Sequence, residues 1–149
     1  MKLQISIVAM IMGLSQITMA APSILGNWAV QGTACASGAP IKGDSHAKTS
    51  MLMSFTETAM TVHATISLTS PNTPYSCQIN FSSDYAISGD MLAISNSKII
   101  SSTCNGSTPR DSSLKISLTE STLQIYRIVD SANEPCAQGD TAISTFIRQ

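Results

Sequence analysis

The groups in this chain with the most chemical potential are its four cysteines, Cys35, Cys77, Cys104 and Cys136. A metal site would need close Cys-x-x-Cys or Cys/His pairs, and these spacings are far wider. An even count in an exported chain reads instead as two disulfides, for which three connectivities exist. Nucleophile motifs are present only in form. Gly43-Asp44-Ser45-His46 has the lettering of a hydrolase string, but such a serine needs a sharp strand-to-helix turn and a positioned base. Ser45-x-x-Lys48 and Ser95-x-x-Lys98 match the Ser-x-x-Lys form of penicillin-interacting enzymes. That chemistry needs a helix carrying the pair and a much larger domain. His46 and His63 are the only histidines. His63 falls on the polar face of a strand, and His46 with Asp44 supplies two ligands, too few for a metal. No acidic pair has the surroundings that general acid–base catalysis requires. Asn80-Phe81-Ser82 and Asn105-Gly106-Ser107 have the glycosylation pattern. The expectation is a protein that is not an enzyme and carries neither cofactor nor metal.

The cysteines imply an oxidising compartment, and the start of the chain supplies a route to one. Lys2 precedes an apolar run from Leu3 to Met12 that continues through Ile17 and ends at Thr18-Met19-Ala20. That is the layout of a secretory signal peptide, expected over residues 1–20 with the cut after Ala20. A cut after Ala21 would put Pro22 first, which signal peptidase handles poorly. Gly13, Ser15 and Gln16 interrupt the run, so it does not read as a membrane anchor. Residues 21–149 then form one domain, long enough to bury a core. With 8 Lys and Arg against 9 Asp and Glu, scattered along the chain, nothing has the electrostatic footprint of a nucleic-acid or anionic-membrane binder. The chain is expected to be exported, periplasmic or extracellular, monomeric and without a membrane span.

Period-two alternation runs through almost all of residues 21–149. In Leu25-Gly26-Asn27-Trp28-Ala29-Val30-Gln31, a strand points Trp28 and Val30 to one face, and Gly26 can take backbone angles closed to other residues. Met51, Met53 and Phe55 share a face. So do Met60, Val62, Ala64, Ile66 and Leu68, with Thr61, His63, Thr65 and Ser67 opposite. The run Cys77, Ile79, Phe81, Ser83, Tyr85, Ile87 is long enough to predict a bend or bulge near Ser82-Ser83. Leu92 and Ile94, then Leu114, Ile116 and Leu118, then Leu123 and Ile125, and last Ala142–Arg148 complete eight strands. No helical period competes with them.

The connections alternate in length. Short links join strands two to three at Glu57-Thr58, four to five at Ser88-Gly89-Asp90 and six to seven at Glu120-Ser121. Long links follow strands one, three, five and seven, and each cysteine lies in or beside one of them. In an up-and-down meander all the long links emerge at one end. Cys77 and Cys104 then belong to neighbouring strands, and Cys35 and Cys136 flank strands one and eight. Those two become neighbours only if the sheet closes, which would also remove its exposed edges. The expected pairs are Cys35–Cys136 and Cys77–Cys104, the first stapling the closure.

A Gly-x-Trp on the opening strand of a secreted eight-stranded meander resembles the lipocalin-like (calycin) barrels. In that family the Trp packs at the closed end beneath an Arg or Lys near the final strand. Gly26-Asn27-Trp28 matches the first part, and Arg148 in Thr145-Phe146-Ile147-Arg148 is placed to match the second. A guanidinium over an indole face is a favourable pair in its own right, and Arg127 is a rival for the place. The string nearest the family's late Thr-Asp-Tyr-like motif, Ser83-Asp84-Tyr85, falls mid-chain and is not carried over.

The resemblance implies an all-β, eight-stranded antiparallel barrel whose interior holds a small apolar ligand. Inward-facing candidates are Met53, Phe55, Val62, Ile66, Phe81, Leu92 and Ile94. Methionines suit an adaptable pocket, although eight strands also leave an interior that side chains can fill. The alternative is a protein partner. Small periplasmic barrels that inhibit secreted metalloproteases look similar, and they act through an N-terminal arm. Here Ala21–Leu25 is the short equivalent, and loops such as Ser70-Pro71-Asn72-Thr73-Pro74 offer further contact surface.

Overall fold

The computed structural model describes residues 21–41, 47–68, 74–106, 109–131 and 134–149. The expected leader lies outside them, as do Asp44, Ser45, His46, the loop from Ser70 to Thr73, and Ser107 of the second sequon. Eight strands follow one another: β1 Gly26–Cys35, β2 Ala47–Phe55, β3 Met60–Leu68, β4 Tyr75–Ser88, β5 Met91–Ser102, β6 Ser112–Leu118, β7 Thr122–Ile128 and β8 Thr141–Arg148. Each is antiparallel to the next, and β8 returns to β1, so the sheet is a closed barrel. Among the described residues there is no helix, and so none long and apolar enough to cross a membrane.

The alternation in the sequence becomes the wall of this barrel. Met51 pairs with Ala64, Met53 with Val62 and Phe55 with Met60, and Val62 pairs in turn with Phe81. Directly opposed residues share a face, so the apolar rows of adjacent strands form one continuous inner surface. A one-residue slip would turn the whole row outward, and this is what holds the register. The bend expected at Ser82-Ser83 is present: the β4–β5 register shifts between Asn80 and Phe81 and again between Ser82 and Asp84. Ser83 itself is buried, and its hydroxyl lies 2.7 Å from that of Ser97.

β5 is longer than the Leu92–Ile94 alternation suggests, because Asn96 takes a positive φ of 52° and interrupts the pattern. An Asn tolerates the left-handed region better than most residues, and its side-chain amide donates to Asp84 at 2.8 Å. β5 pairs with β4 as far as Ser102 but with β6 only from Met91 to Ile94.

Short links connect β2 to β3, β4 to β5 and β6 to β7 at one end of the barrel. The four long ones lie at the other end, with both disulfides, Cys35–Cys136 and Cys77–Cys104. The first closes the β1/β8 seam. Around it, the Asp140 carboxylate accepts from the Ser37 hydroxyl at 2.5 Å and from the Thr141 amide at 2.7 Å. These bonds, that from Ser37 first, hold its pKa below the ordinary value.

The short-link end is the closed one, and Trp28 is its centre, with no exposed surface. Its indole N–H donates to the Ile24 carbonyl at 2.7 Å, and the Arg148 guanidinium lies over the ring, 4.3 Å from the centroid. Arg148 also donates to the carbonyls of Ser23 (2.5 Å), Leu25 (2.6 Å) and Glu120 (2.5 Å). The residues ahead of β1 are thus bonded down onto the floor, with Ile24 buried there. Gly26 makes the approach possible: its φ is +118°, and a β-carbon would come within 3.1 Å of Arg148 Nη1. Gly26→Ala is expected to lower stability by about 1–3 kcal/mol, chiefly through that backbone conformation. In an Arg148→Ala background the contact is gone while the φ cost remains. Urea denaturation of the two pairs of variants separates these terms.

Candidate functional site

The inner apolar side chains pack into one core around Trp28, Met60, Leu92 and Leu123, and beside it they leave a cavity. This cavity, of about 280 Å³, lies above the Trp28 floor. Met51 and Met53 of β2, Met60 and Val62 of β3 and Phe81 of β4 line one side. Leu92 and Ile94 of β5, with Leu114, Ile125 and Phe146 from β6, β7 and β8, complete the apolar wall. Long flexible thioethers beside branched and aromatic groups give a surface that can re-pack around differing shapes. The polar groups are few: Ser97, Ser112, Ser144, Arg110 and Arg127. Ser97 lies within bonding distance of Ser83, and Ser144 is 3.1 Å from the Thr33 hydroxyl.

Five of the seven side chains expected to face the interior, Met53, Val62, Phe81, Leu92 and Ile94, line this cavity. Phe55 is buried but does not reach it. Its ring meets Tyr85 edge to face at 5.1 Å, and the Tyr85 hydroxyl donates to the Thr56 carbonyl at 2.6 Å near the closed end. Partial burial, with a smaller contribution from Glu57, raises the pKa of that phenol. Ile66 lies toward the open end, in register with Cys77, and is 36% exposed. Met51 and Met60 belong to the same alternating rows as residues already identified. Arg127 was legible too, as the end of the row Leu123, Ile125, Arg127. Arg110 carries no such signal, because it sits in the β5–β6 loop.

Arg127 is not the partner of Trp28. Its guanidinium makes two hydrogen bonds to the Glu134 carboxylate, one of them 2.7 Å. That pairing raises the Arg127 pKa and lowers the Glu134 pKa, the mutual hydrogen bond being the main cause of both. Asp140 and the sulfurs of Cys35 and Cys136 lie within 4.8 Å of one another. The sulfurs are joined as a disulfide, however, and a metal takes thiolates. Ser95 and Lys98 stand on a strand, not on the helix that Ser-x-x-Lys chemistry uses. His63 faces outward beside Asn80, its Nδ1 hydrogen-bonded to the amide oxygen.

A larger depression of about 780 Å³ lies on the outer wall, where Met91, Lys115, Tyr126 and Ile143 form one cross-strand row beside Ile128. It is a shelf walled from one side only. The interior cavity is lined from seven of the eight strands, β2 through β8, and is the better candidate for holding a small molecule.

No protein-family model matches the chain, and no curated protein or solved structure matches it. The class that the fold itself defines is a closed, eight-stranded antiparallel barrel with two disulfides, consistent with a calycin-like fold.

Proposed function

We propose that this protein is an exported, non-enzymatic binding protein that holds a small apolar ligand inside a lipocalin-like barrel. The observation that carries the reading is the cavity of about 280 Å³ walled by methionine, leucine, isoleucine and phenylalanine side chains. Transfer of apolar surface from water into such a wall contributes roughly 25 cal/mol for each Å² buried. Two disulfides are typical of exported proteins, which supports the placement outside the reducing cytoplasm. Gly26, Trp28 and Arg148, stacked as a lipocalin-like floor, support the kinship.

The alternative, a protease-inhibitor-like barrel acting through its N-terminal arm, has less in its favour. Ile24 is buried, and the carbonyls of Ser23, Ile24 and Leu25 all accept hydrogen bonds on the barrel floor. Threading the arm into a cleft would break them. Native mass spectrometry on oxidised protein from an exporting host is the direct test. The expected result is an added mass that vanishes on denaturation. Ile94→Trp, which projects a larger ring into the cavity, should abolish that mass and leave the disulfides intact. A bare wild-type mass, together with no uptake of added apolar ligands, would sink the reading.

A further inference from the structure

We propose that a second copy of this chain pairs with it along β5, residues 96–102 of each copy lying antiparallel to the other across a two-fold axis at Ile99. The inference does not depend on what the cavity holds.

Closure of the sheet leaves one edge open. β5 pairs with β4 as far as Ser102, but with β6 only from Met91 to Ile94. Among the described residues, no hydrogen bond reaches the backbone of residues 96–102 on the side away from β4. An unpaired row of amide and carbonyl groups is a template for another strand, since an extended backbone satisfies it throughout. The same stretch is open on both faces: residues 98–102 are all exposed. Ile99 stands in register with Phe81 on the inner row and is still 44% exposed. Ile100, the extra residue of the bulge, is 66% exposed beside Leu52 and His63 on the outer wall. Exposed isoleucines on an open edge are what edge strands ordinarily avoid.

The edge is also held ready. Beyond the bulge, β5 is fastened to β4 by the Cys77–Cys104 disulfide. The Thr103 amide donates to the Gln78 carbonyl at 2.8 Å, and the Gln78 amide to the Thr103 hydroxyl at 2.9 Å. A strand fixed in this way incurs little ordering cost when it is paired. That favours a second fixed edge over a flexible peptide, which would have to be ordered first.

The residues of the edge suit a self-pair. Directly opposed residues share a face. With the axis at Ile99, the two Ile99 side chains meet on the inner face. Lys98, in register with Ser82 and through it with Thr61 on the polar outer face, stands opposite Ile100 of the other copy. Its methylene stem covers that isoleucine while its ammonium remains in water. Lys98 is the only charged residue from 95 to 102, so no like charges stand directly opposite each other. Leu52, 39% exposed next to Ile100, widens the patch. A short edge buries less than a standard interface, so the dimer is a weak one, and the monomer expected from the sequence holds at low concentration.

The test is sedimentation equilibrium of the oxidised protein over a concentration series extending to roughly 1 mM, which covers weak specific pairs. Ile100→Lys and Ile100→Glu are run beside wild type. Ile100 is exposed, so both variants should keep the fold, and both lose the same apolar surface. They differ in what they set opposite Lys98, a like charge or an opposite one. Wild type is expected to dimerise. Ile100→Lys should weaken the dimer about tenfold, because the unfavourable pair occurs twice about the axis, and Ile100→Glu should bind more tightly than Ile100→Lys by a similar factor. Raising salt should narrow the gap between the two variants. A dimer weakened equally by both, or indifferent to both, places the interface elsewhere and overturns the proposal. A wild-type monomer at every concentration overturns it as well, and leaves the edge to an extended segment of another protein.

Discussion

Trp28→Ala is expected to destabilise the protein by about 3–5 kcal/mol, the range for removing a large aromatic side chain from a packed interior. Trp28 is fully buried on β1 between Met53 of β2 and Arg148 of β8, so its loss opens a hole where the barrel closes. The indole also donates to the Ile24 carbonyl, which would be left buried and without that donor. Arg148 would keep its three backbone acceptors but lose the ring beneath it. Because the arm and the last strand meet on this ring, the damage should extend to both. The midpoint of chemical denaturation reads the effect. An unchanged midpoint would show that the floor does not depend on Trp28.

The second large effect concerns the disulfides, and here the order is as informative as the size. Cys35–Cys136 closes a sequence separation of 101 residues and Cys77–Cys104 one of 27. Loop-closure entropy in the unfolded chain rises with the logarithm of loop length, giving contributions of about 4.7 and about 3.6 kcal/mol. Replacing Cys35 and Cys136 together by Ser should therefore cost more than replacing Cys77 and Cys104. The seam supplies a second reason. β1 and β8 meet only because the sheet closes, and Cys136, Val129 and Ala142 form a small buried cluster against Cys35 there. Unfolding of the two double variants, each against wild type, checks the order. Equal losses, or a greater loss at Cys77–Cys104, would mean that the seam is held mainly by its strand pairing.

Much of the architecture was legible because a barrel wall obeys a local rule. Side chains alternate with period two, so Met53, Val62, Phe81, Leu92 and Ile94 announce one face in any strand they form. The alternation of short and long links then places every cysteine at one end. Closure leaves a single pairing in which both disulfides join adjacent strands. Trp28 and Arg148 lie at opposite ends of the chain, yet their register across the seam follows from the same closure.

The sequence by itself thus determined the strands and their order, which follow from spacing along the chain; the disulfide pairs followed once the sheet was taken to close, and the Trp28–Arg148 floor came from the resemblance to calycin barrels, with Arg127 still a rival. Tertiary structure alone decided how far each inward side chain reaches. Phe55 turns to Tyr85, and Ile66 is left open to solvent where the wall ends, although both obey the alternation. It also decided where a cavity remains beside the packed core, because the space left inside depends on how side chains from all the walls meet. And it decided which arginine has no partner among the described residues. Glu134 lies seven residues from Arg127 but reaches it only through the fold of the β7–β8 loop, while Arg110 is brought to the mouth by a loop with no period to read. Charge pairing and cavity shape arise from contacts between distant segments, and a pattern of neighbours along the chain does not contain them.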